Sequence, residues 1–434
     1  MENFLEVVEQ INSFINGIVW GWPMVILILG TGILLTVRTR FMQVRKFKTS
    51  IEQTLVPTFK SIRTKKEEKK ENTISPFEAF ATAISGTVGT GNIIGVTSAI
   101  MTGGPGAVFW MWISAFFGMI TNFSENVLGM YFRKKSAGGD FAGGPMYYLR
   151  EGLPMQAKSD QGRKILGVVG KVLGMMAAVF CALAAIGMSG TQTNKIAGTI
   201  TGALPTMDAQ IVSLIVGIVV AVVLALIILG GVKRIGRVCA ILVPFMSLLF
   251  IVLALVIIFA NVTAIVILVS FGGDAQLLYG GSAVDTQVSM MAFERQFGVF
   301  GTVFYTIIIP LFGLTTIIAW SYYGEKAVEY LFRGTGEKGR KISILTFKIV
   351  YILLVVVSAV INGELAWAIS DTFNGLMALP NLIGLVLMSG LVVKISKNYF
   401  MRKKGEDVEP MLSAYPDVNL QFIQDEQNGS EERA

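Results

Sequence analysis

The chain has 434 residues, 53% of them hydrophobic and only 15% charged. A soluble domain usually carries roughly 25% charged residues, so an apolar excess of this size does not fit inside one water-soluble core. The net charge of +7 would suit nucleic acid, but its distribution argues against that partner. Histidine is absent, which removes the commonest proton shuttle and metal ligand together.

In chain order, Met1 to Gln10 carries Glu2, Glu6 and Glu9 with no Lys or Arg, the wrong charge for a signal peptide. Residues 1–19 are expected to be an external N-terminus. Nine apolar runs follow: Trp20–Val37, Glu78–Met101, Val108–Tyr131, Val172–Gly190, Ile211–Gly231, Val238–Ser270, Phe297–Tyr322, Ile342–Ile361 and Thr372–Val393. Most are long enough to cross a ~30 Å hydrocarbon core at ~1.5 Å per helical residue. Lipid offers a backbone amide no partner, so each is expected to be helical. Cys181 and Cys239 lie inside such runs and read as small core residues, not as a disulfide framework.

The loops set the direction. Arg38 to Lys70 carries eleven Lys and Arg, and alternate loops repeat the bias at Arg133-Lys134-Lys135, Lys233-Arg234, Lys338–Lys341 and Arg402-Lys403-Lys404. On the opposite side only Lys195 and Arg295 are basic. The positive-inside rule places the basic loops in the cytoplasm and, with nine crossings, the N-terminus outside. Lys348, near the cytoplasmic end of its run, is expected to snorkel. Ser61 to Glu71 is a mixed charge run, read as a solvated linker or as a short amphipathic helix on the membrane. Residues 20–393 form the membrane domain, and residues 394–434 are expected to be a disordered cytoplasmic tail.

The second run is interrupted by Ser85-Gly86-Thr87-Val88-Gly89-Thr90-Gly91-Asn92-Ile93-Ile94-Gly95. Each glycine lowers helix propensity by about 1 kcal/mol, and three hydroxyls and an amide sit among them with apolar residues on both sides. Unwound backbone at mid-bilayer depth survives only where it lines a cavity or is buried in protein. Its freed carbonyls suit a cation, and the exposed amides of the second half-helix suit a carboxylate. The competing reading is close helix packing through small residues. Glu78 and Glu125 are intramembrane acids, candidates for function or for structural hydrogen bonds near an interface. No nucleophile–base pair or metal cluster stands out, so an enzyme is not expected.

The interrupted run resembles the broken helix of the sodium:alanine symporter family. Gly103-Gly104-Pro105-Gly106-Ala107-Val108-Phe109-Trp110-Met111-Trp112 is similar to that family's signature. So are Gly143-Gly144-Pro145-Met146-Tyr147-Tyr148, Leu229 to Ile235, Trp320-Ser321-Tyr322-Tyr323-Gly324-Glu325, and Asn374 to Leu382. The resemblance implies an all-α, leucine-transporter-like inverted-repeat fold with one extra N-terminal helix. It also implies Na⁺-coupled uptake of alanine, glycine or a similar small neutral amino acid, with no cofactor beyond the coupling ion. By position it assigns Thr87, Gly89, Thr90, Gly91, Asn92, Gln192 and Trp320 to the substrate, and Gly86, Val88, Thr315 and Thr316 to Na⁺.

One feature of the family is missing from this sequence. Inverted-repeat carriers place a second broken helix at the matching point of the second half. Here Lys233 to Ala260 resembles the last helix of the first repeat and Val262 to Ser270 the outer end of a later one, with the join near Asn261. The second repeat is therefore expected to be incomplete, and the joined run to tilt, to kink near Pro244 or Asn261, or to protrude. The alternative function is a family relative without transport activity, acting as a binding or regulatory membrane protein. A proton-coupled or uniport carrier is a third reading, and the absence of His makes it less attractive.

Overall fold

The computed structural model describes residues 2–54, 75–104, 106–135, 141–260, 285–361 and 363–431. Within them the chain is almost entirely helical. The helices are α1 (Glu2–Val19), α2 (Trp22–Arg38), α3 (Met42–Arg45), α4 (Pro76–Thr87), α5 (Ile94–Gly103), α6 (Gly106–Tyr131), α7 (Pro145–Met155) and α8 (Asp160–Ala203). They continue with α9 (Ala209–Ile228), α10 (Gly231–Ala260), α11 (Asp285–Phe297), α12 (Val299–Leu331), α13 (Gly336–Val360), α14 (Gly363–Lys403) and α15 (Pro416–Glu431). A small antiparallel hairpin, β1 (Lys134–Lys135) with β2 (Phe141–Ala142), lies between α6 and α7.

Local chemistry starts these helices where the sequence allows. Ser159 caps α8 through Gly162, and the Asp208 carboxylate accepts the Gln210 and Ile211 amides at 2.9 Å to begin α9. Seven helices among the described residues are long and apolar enough to cross a membrane: α6, α8, α9, α10, α12, α13 and α14. The pair α1 and α2, bent by 41°, makes an eighth if it is one span. The interrupted second run is divided between α4 and α5, each too short to cross by itself. The chain is a multi-pass membrane protein. Its outer surface agrees with lipid as solvent, since Trp22, Ile26, Trp110, Trp112, Leu226 and Ile241 are exposed.

At the centre α8 and α12 cross, joined by α9, α13 and α14. Tyr305, Ile308, Ile309, Ile317 and Ile318 of α12 are buried in the main apolar cluster. Where α8 meets α14 the backbones close in: a Cβ at Gly187 would lie 2.8 Å from Ser370 Cα. Small residues matter in this way because, in lipid, helices associate by dispersion contact and hydrogen bonds, without a hydrophobic drive.

Two expectations need correction. Lys348 does not snorkel; its Nζ pairs with Glu325 Oε2 at 2.8 Å, with both side chains largely buried between α13 and α12. A partner carboxylate inside the fold satisfies the ammonium without its reaching outward. Residues 2–19 form the amphipathic α1, with Val7, Ile11, Phe14 and Ile18 exposed along one stripe. Asn16 ties it to α14, donating to Asp371 Oδ2 at 3.1 Å and Thr372 Oγ1 at 3.0 Å.

The tail is not wholly disordered: α14 runs past Lys394 to Lys403, and α15 follows. The Ala414 amide donates to Tyr131 O at 2.9 Å, and Asn419 Oδ1 accepts the Leu412 and Ser413 amides at 2.8 and 3.0 Å. The Arg133 guanidinium lies 4.7 Å from the Phe141 ring and 4.5 Å from the Phe422 ring. Tyr415 donates to Glu151; burial first, then that carboxylate, pushes the phenol pKa up and keeps it a donor. Composition suggested disorder because it counts polar groups without showing that they satisfy each other. The helix α10 holds Pro244 in its interior. The join at Asn261, the stretch Val262–Ser270 and the charge run Ser61–Glu71 lie outside the described residues.

Candidate functional site

The helix α4 opens with a capping box: the Ser75 hydroxyl accepts the Glu78 amide at 3.2 Å, and the Glu78 carboxylate accepts the Ser75 amide at 2.8 Å. Glu78 is thereby a structural acid. Thr87 ends the helix. Val88 (φ −103°, ψ 94°) and Gly89 (φ −122°, ψ −163°) are extended, Thr90–Asn92 form one 3₁₀ turn, and α5 resumes at Ile94. The polar glycine stretch is thus a true break, not a packed continuous helix.

The inner flank of the break rests on α8 and α12. Gln192 Oε1 accepts the Thr90 backbone amide at 3.1 Å and the Thr90 hydroxyl at 2.8 Å, all buried. Trp320 Nε1 donates to Gly86 O at 3.1 Å. The Thr316 hydroxyl lies 2.9 Å from Phe312 O, 2.9 Å from Ser85 O and 3.5 Å from Val88 O. One hydroxyl proton serves only one acceptor at a time, so this is a nest of neutral oxygens with spare lone pairs. Gly89 is required for the close approach: a Cβ there would lie 2.6 Å from Thr316 Oγ1 and 3.0 Å from Gln192 Oε1.

The outer flank differs. Thr87 and Asn92 are exposed, and a Cβ on Gly91 would meet open space. Asn92 Nδ2 donates to Thr87 O at 2.8 Å, and Thr87 Oγ1 donates to Ala83 O at 3.0 Å. One residue assigned to the ion faces elsewhere. Thr315 turns away from the break and bonds back to Leu311 O and Phe312 O, with Met246 Sδ at 3.6 Å. The Gly86 carbonyl accepts from Trp320 and keeps a second lone pair. Ser85 O and Phe312 O also stand at the Thr316 hydroxyl, and helical arithmetic could have identified them. Val88 still donates to Ile84 O, so the first carbonyl the break releases is Ser85 O, four residues before the extended Gly89, and Phe312 lies four before Thr316.

No Asp, Glu, Lys or Arg belongs to this cluster, so any ion there is held by neutral dipoles. Glu125 is remote from it, accepting from Asn381 of α14, which in turn accepts from Tyr148 of α7. A separate hollow of about 320 Å³ between α8, α9 and α12, lined by residues such as Ile196, Val220 and Leu314, is aliphatic and offers a zwitterion nothing.

A polytopic helical membrane protein with a broken helix at a buried polar site defines the class as a membrane transporter. The chain belongs to the sodium:alanine symporter family, whose model matches residues 5–271 and 260–413. It is 34% identical to the sodium/alanine symporter AgcS of Methanococcus maripaludis over 486 aligned positions, covering 93% of this chain and 99% of that protein. An uncharacterized transporter of Haemophilus influenzae is 31% identical, covering 92% and 97%. The "Probable sodium/glutamine symporter GlnT" of Bacillus subtilis is 28% identical, covering 93% of each. The family is made of transporters, so the chain is not an enzyme.

The family match comes in two pieces that meet at residues 260–271, where the sequence placed its join. Since 93% of 434 residues is about 404, an alignment of 486 positions leaves about 80 without a counterpart in this chain. The shortfall is internal, because nearly all of the archaeal relative is covered.

Proposed function

We propose that the chain is a Na⁺-coupled symporter of a small neutral amino acid in the cell membrane, with its N-terminus outside and its C-terminus in the cytoplasm. The fold is read as leucine-transporter-like, with the second repeat shortened near Asn261. What carries the reading is the oxygen nest at Thr316 beside the broken helix. The released carbonyls of Ser85 and Val88, with Phe312 O and the Thr316 hydroxyl, are the hard, neutral ligands that suit Na⁺, by analogy with other hard cations. Amides at the start of α5 face the substrate carboxylate. Thr90 and Gln192 form the floor, Trp320 a wall, and Thr87, Gly91 and Asn92 the accessible side.

Binding the ion next to the zwitterion supplies coupling, because each lowers the cost of burying the other's charge. The test is uptake of radiolabelled alanine, glycine and glutamine into proteoliposomes under an inward Na⁺ gradient, with K⁺ as control at fixed pH. Uptake indifferent to Na⁺ removes the coupling. The names of relatives give no support to a non-transporting relative. Only the internal shortfall of about 80 positions raises that second reading, and saturable alanine binding without accumulation would establish it.

A further inference from the structure

The chain turns sharply where α2 ends. Arg40 and Phe41 are consecutive left-handed residues, each at φ 56°, and the Phe41 amide donates to Thr36 O at 2.8 Å. Gln43 Nε2 donates to Thr36 Oγ1 at 2.9 Å and pins α3 against the last turn of α2. A helix then runs over residues 47–54. Phe41, Val44, Phe47 and Ile51 are all exposed. Their spacings of three, three and four place them on one helical face, an apolar stripe open to the surroundings.

Cations accompany the stripe, and at Arg38, Arg45 and Lys46 each meets only a neutral partner among the described residues. Arg38 Nη1 donates to Ser389 Oγ of α14 at 2.5 Å, and Arg45 Nη2 donates to Thr39 O at 3.3 Å. Lys46 Nζ lies 4.6 Å from the centroid of the Phe400 ring, also on α14. A hydroxyl, a carbonyl and a ring face leave these positive charges uncompensated at one end of the bundle. Arg38 and Arg45 are exposed, and a guanidinium carries five N–H donors in a fork that fits a phosphate. An apolar stripe flanked by such cations is the signature of a helix lying in a membrane interface. A soluble anion would answer the charges and leave the stripe in water; a phospholipid answers both.

We propose that the junction of α2, α3 and α14 is a docking surface for an anionic phospholipid of the adjoining leaflet. Its phosphate is held by Arg38 and Arg45 with Lys46 alongside, and its acyl chains lie against Val44, Phe47 and Ile51. On the orientation proposed above this surface faces the cytoplasm, the side on which anionic lipids concentrate. Through the contact of Arg38 with Ser389, the bound headgroup braces α2 against α14. The inference depends on the chain lying in a membrane and not on the solute it carries.

The experiment uses the full chain in liposomes and reads, by electron paramagnetic resonance, the fraction of spin-labelled lipid that the protein restricts. Phosphatidylglycerol is expected to bind about fivefold more strongly than phosphatidylcholine with the same acyl chains, a preference that raised salt erases. Arg38→Gln with Arg45→Gln lowers the preference severalfold, and Arg38→Lys with Arg45→Lys retains most of it. Lys158→Gln, which removes an exposed cation elsewhere on the same side, leaves it unchanged. A folded double Gln variant with the parent's preference overturns the proposal, as does an equal loss in Lys158→Gln. A second measurement needs no variant: phosphatidylglycerol added to detergent micelles raises the parent's unfolding midpoint, and phosphatidylcholine and inorganic phosphate do not. An equal rise with inorganic phosphate assigns the cations to a soluble anion and overturns the lipid, and no rise with phosphatidylglycerol overturns the surface altogether.

Discussion

Gln192 on α8 accepts both the backbone amide and the hydroxyl of Thr90, so a single carbonyl oxygen holds the 3₁₀ turn of the broken helix against the protein core. A buried amide left without an acceptor costs about 1–3 kcal/mol. Gln192→Leu is therefore expected to lower thermal stability by that order and to abolish saturable alanine uptake. Gln192→Glu keeps an acceptor but brings a buried negative charge beside the substrate carboxylate, and is expected to restore stability more than uptake. Calorimetry and transport on the two variants separate the effects; equal uptake in Gln192→Leu and the parent removes Thr90 and Gln192 from the site.

The neighbouring threonines should behave differently. Thr316 faces the released carbonyls of Ser85 and Val88, whereas Thr315 bonds back along its own helix. Thr316→Val is expected to raise the Na⁺ concentration for half-maximal uptake at least about tenfold, a loss of ~1.4 kcal/mol. Thr315→Val should change it less than about twofold. A Na⁺ titration at fixed alanine measures both, and the opposite ranking would refute the placement of the ion.

Glycines of the break are also unequal. A methyl at Gly89 collides with Thr316 Oγ1 at 2.6 Å, while one at Gly91 meets nothing within 4 Å. Gly89→Ala is expected to force the 3₁₀ turn off Gln192 and eliminate Na⁺-driven uptake, and Gly91→Ala to retain folding and at least part of the uptake. Identical phenotypes would mean that glycine acts here through backbone freedom alone.

Lys348 and Glu325 form an ion pair with side chains 12% and 19% exposed. Removing one partner from a buried pair strands the other charge, at about 3–5 kcal/mol, whereas apolar replacement of both is often near neutral. Lys348→Met should therefore lower the unfolding midpoint in detergent more than Lys348→Met with Glu325→Leu. A double variant weaker than the single would show that the pair contributes net stability.

Much of this protein could be read before any coordinate. Apolar runs of about twenty residues dictate helices because lipid leaves a backbone amide no alternative, and glycines among hydroxyls at Gly86 to Asn92 dictate a break. The join near Asn261 was also visible, since a missing stretch leaves its trace in order and spacing, and the two-piece family match falls there.

What sequence could not supply was partners distant along the chain. Nothing local tells that Thr316 rather than Thr315 faces Ser85 O, or that Lys348 finds Glu325. Nor does composition reveal that the polar tail folds, because Tyr415, Asn419 and Phe422 meet Glu151, the 412–413 backbone and Arg133 only once α6, α7 and α14 are assembled. Periodicity and desolvation act along the chain and can be read from it. The direction in which a hydroxyl or carboxylate points is set by helices packed across hundreds of residues, and that was decided in three dimensions.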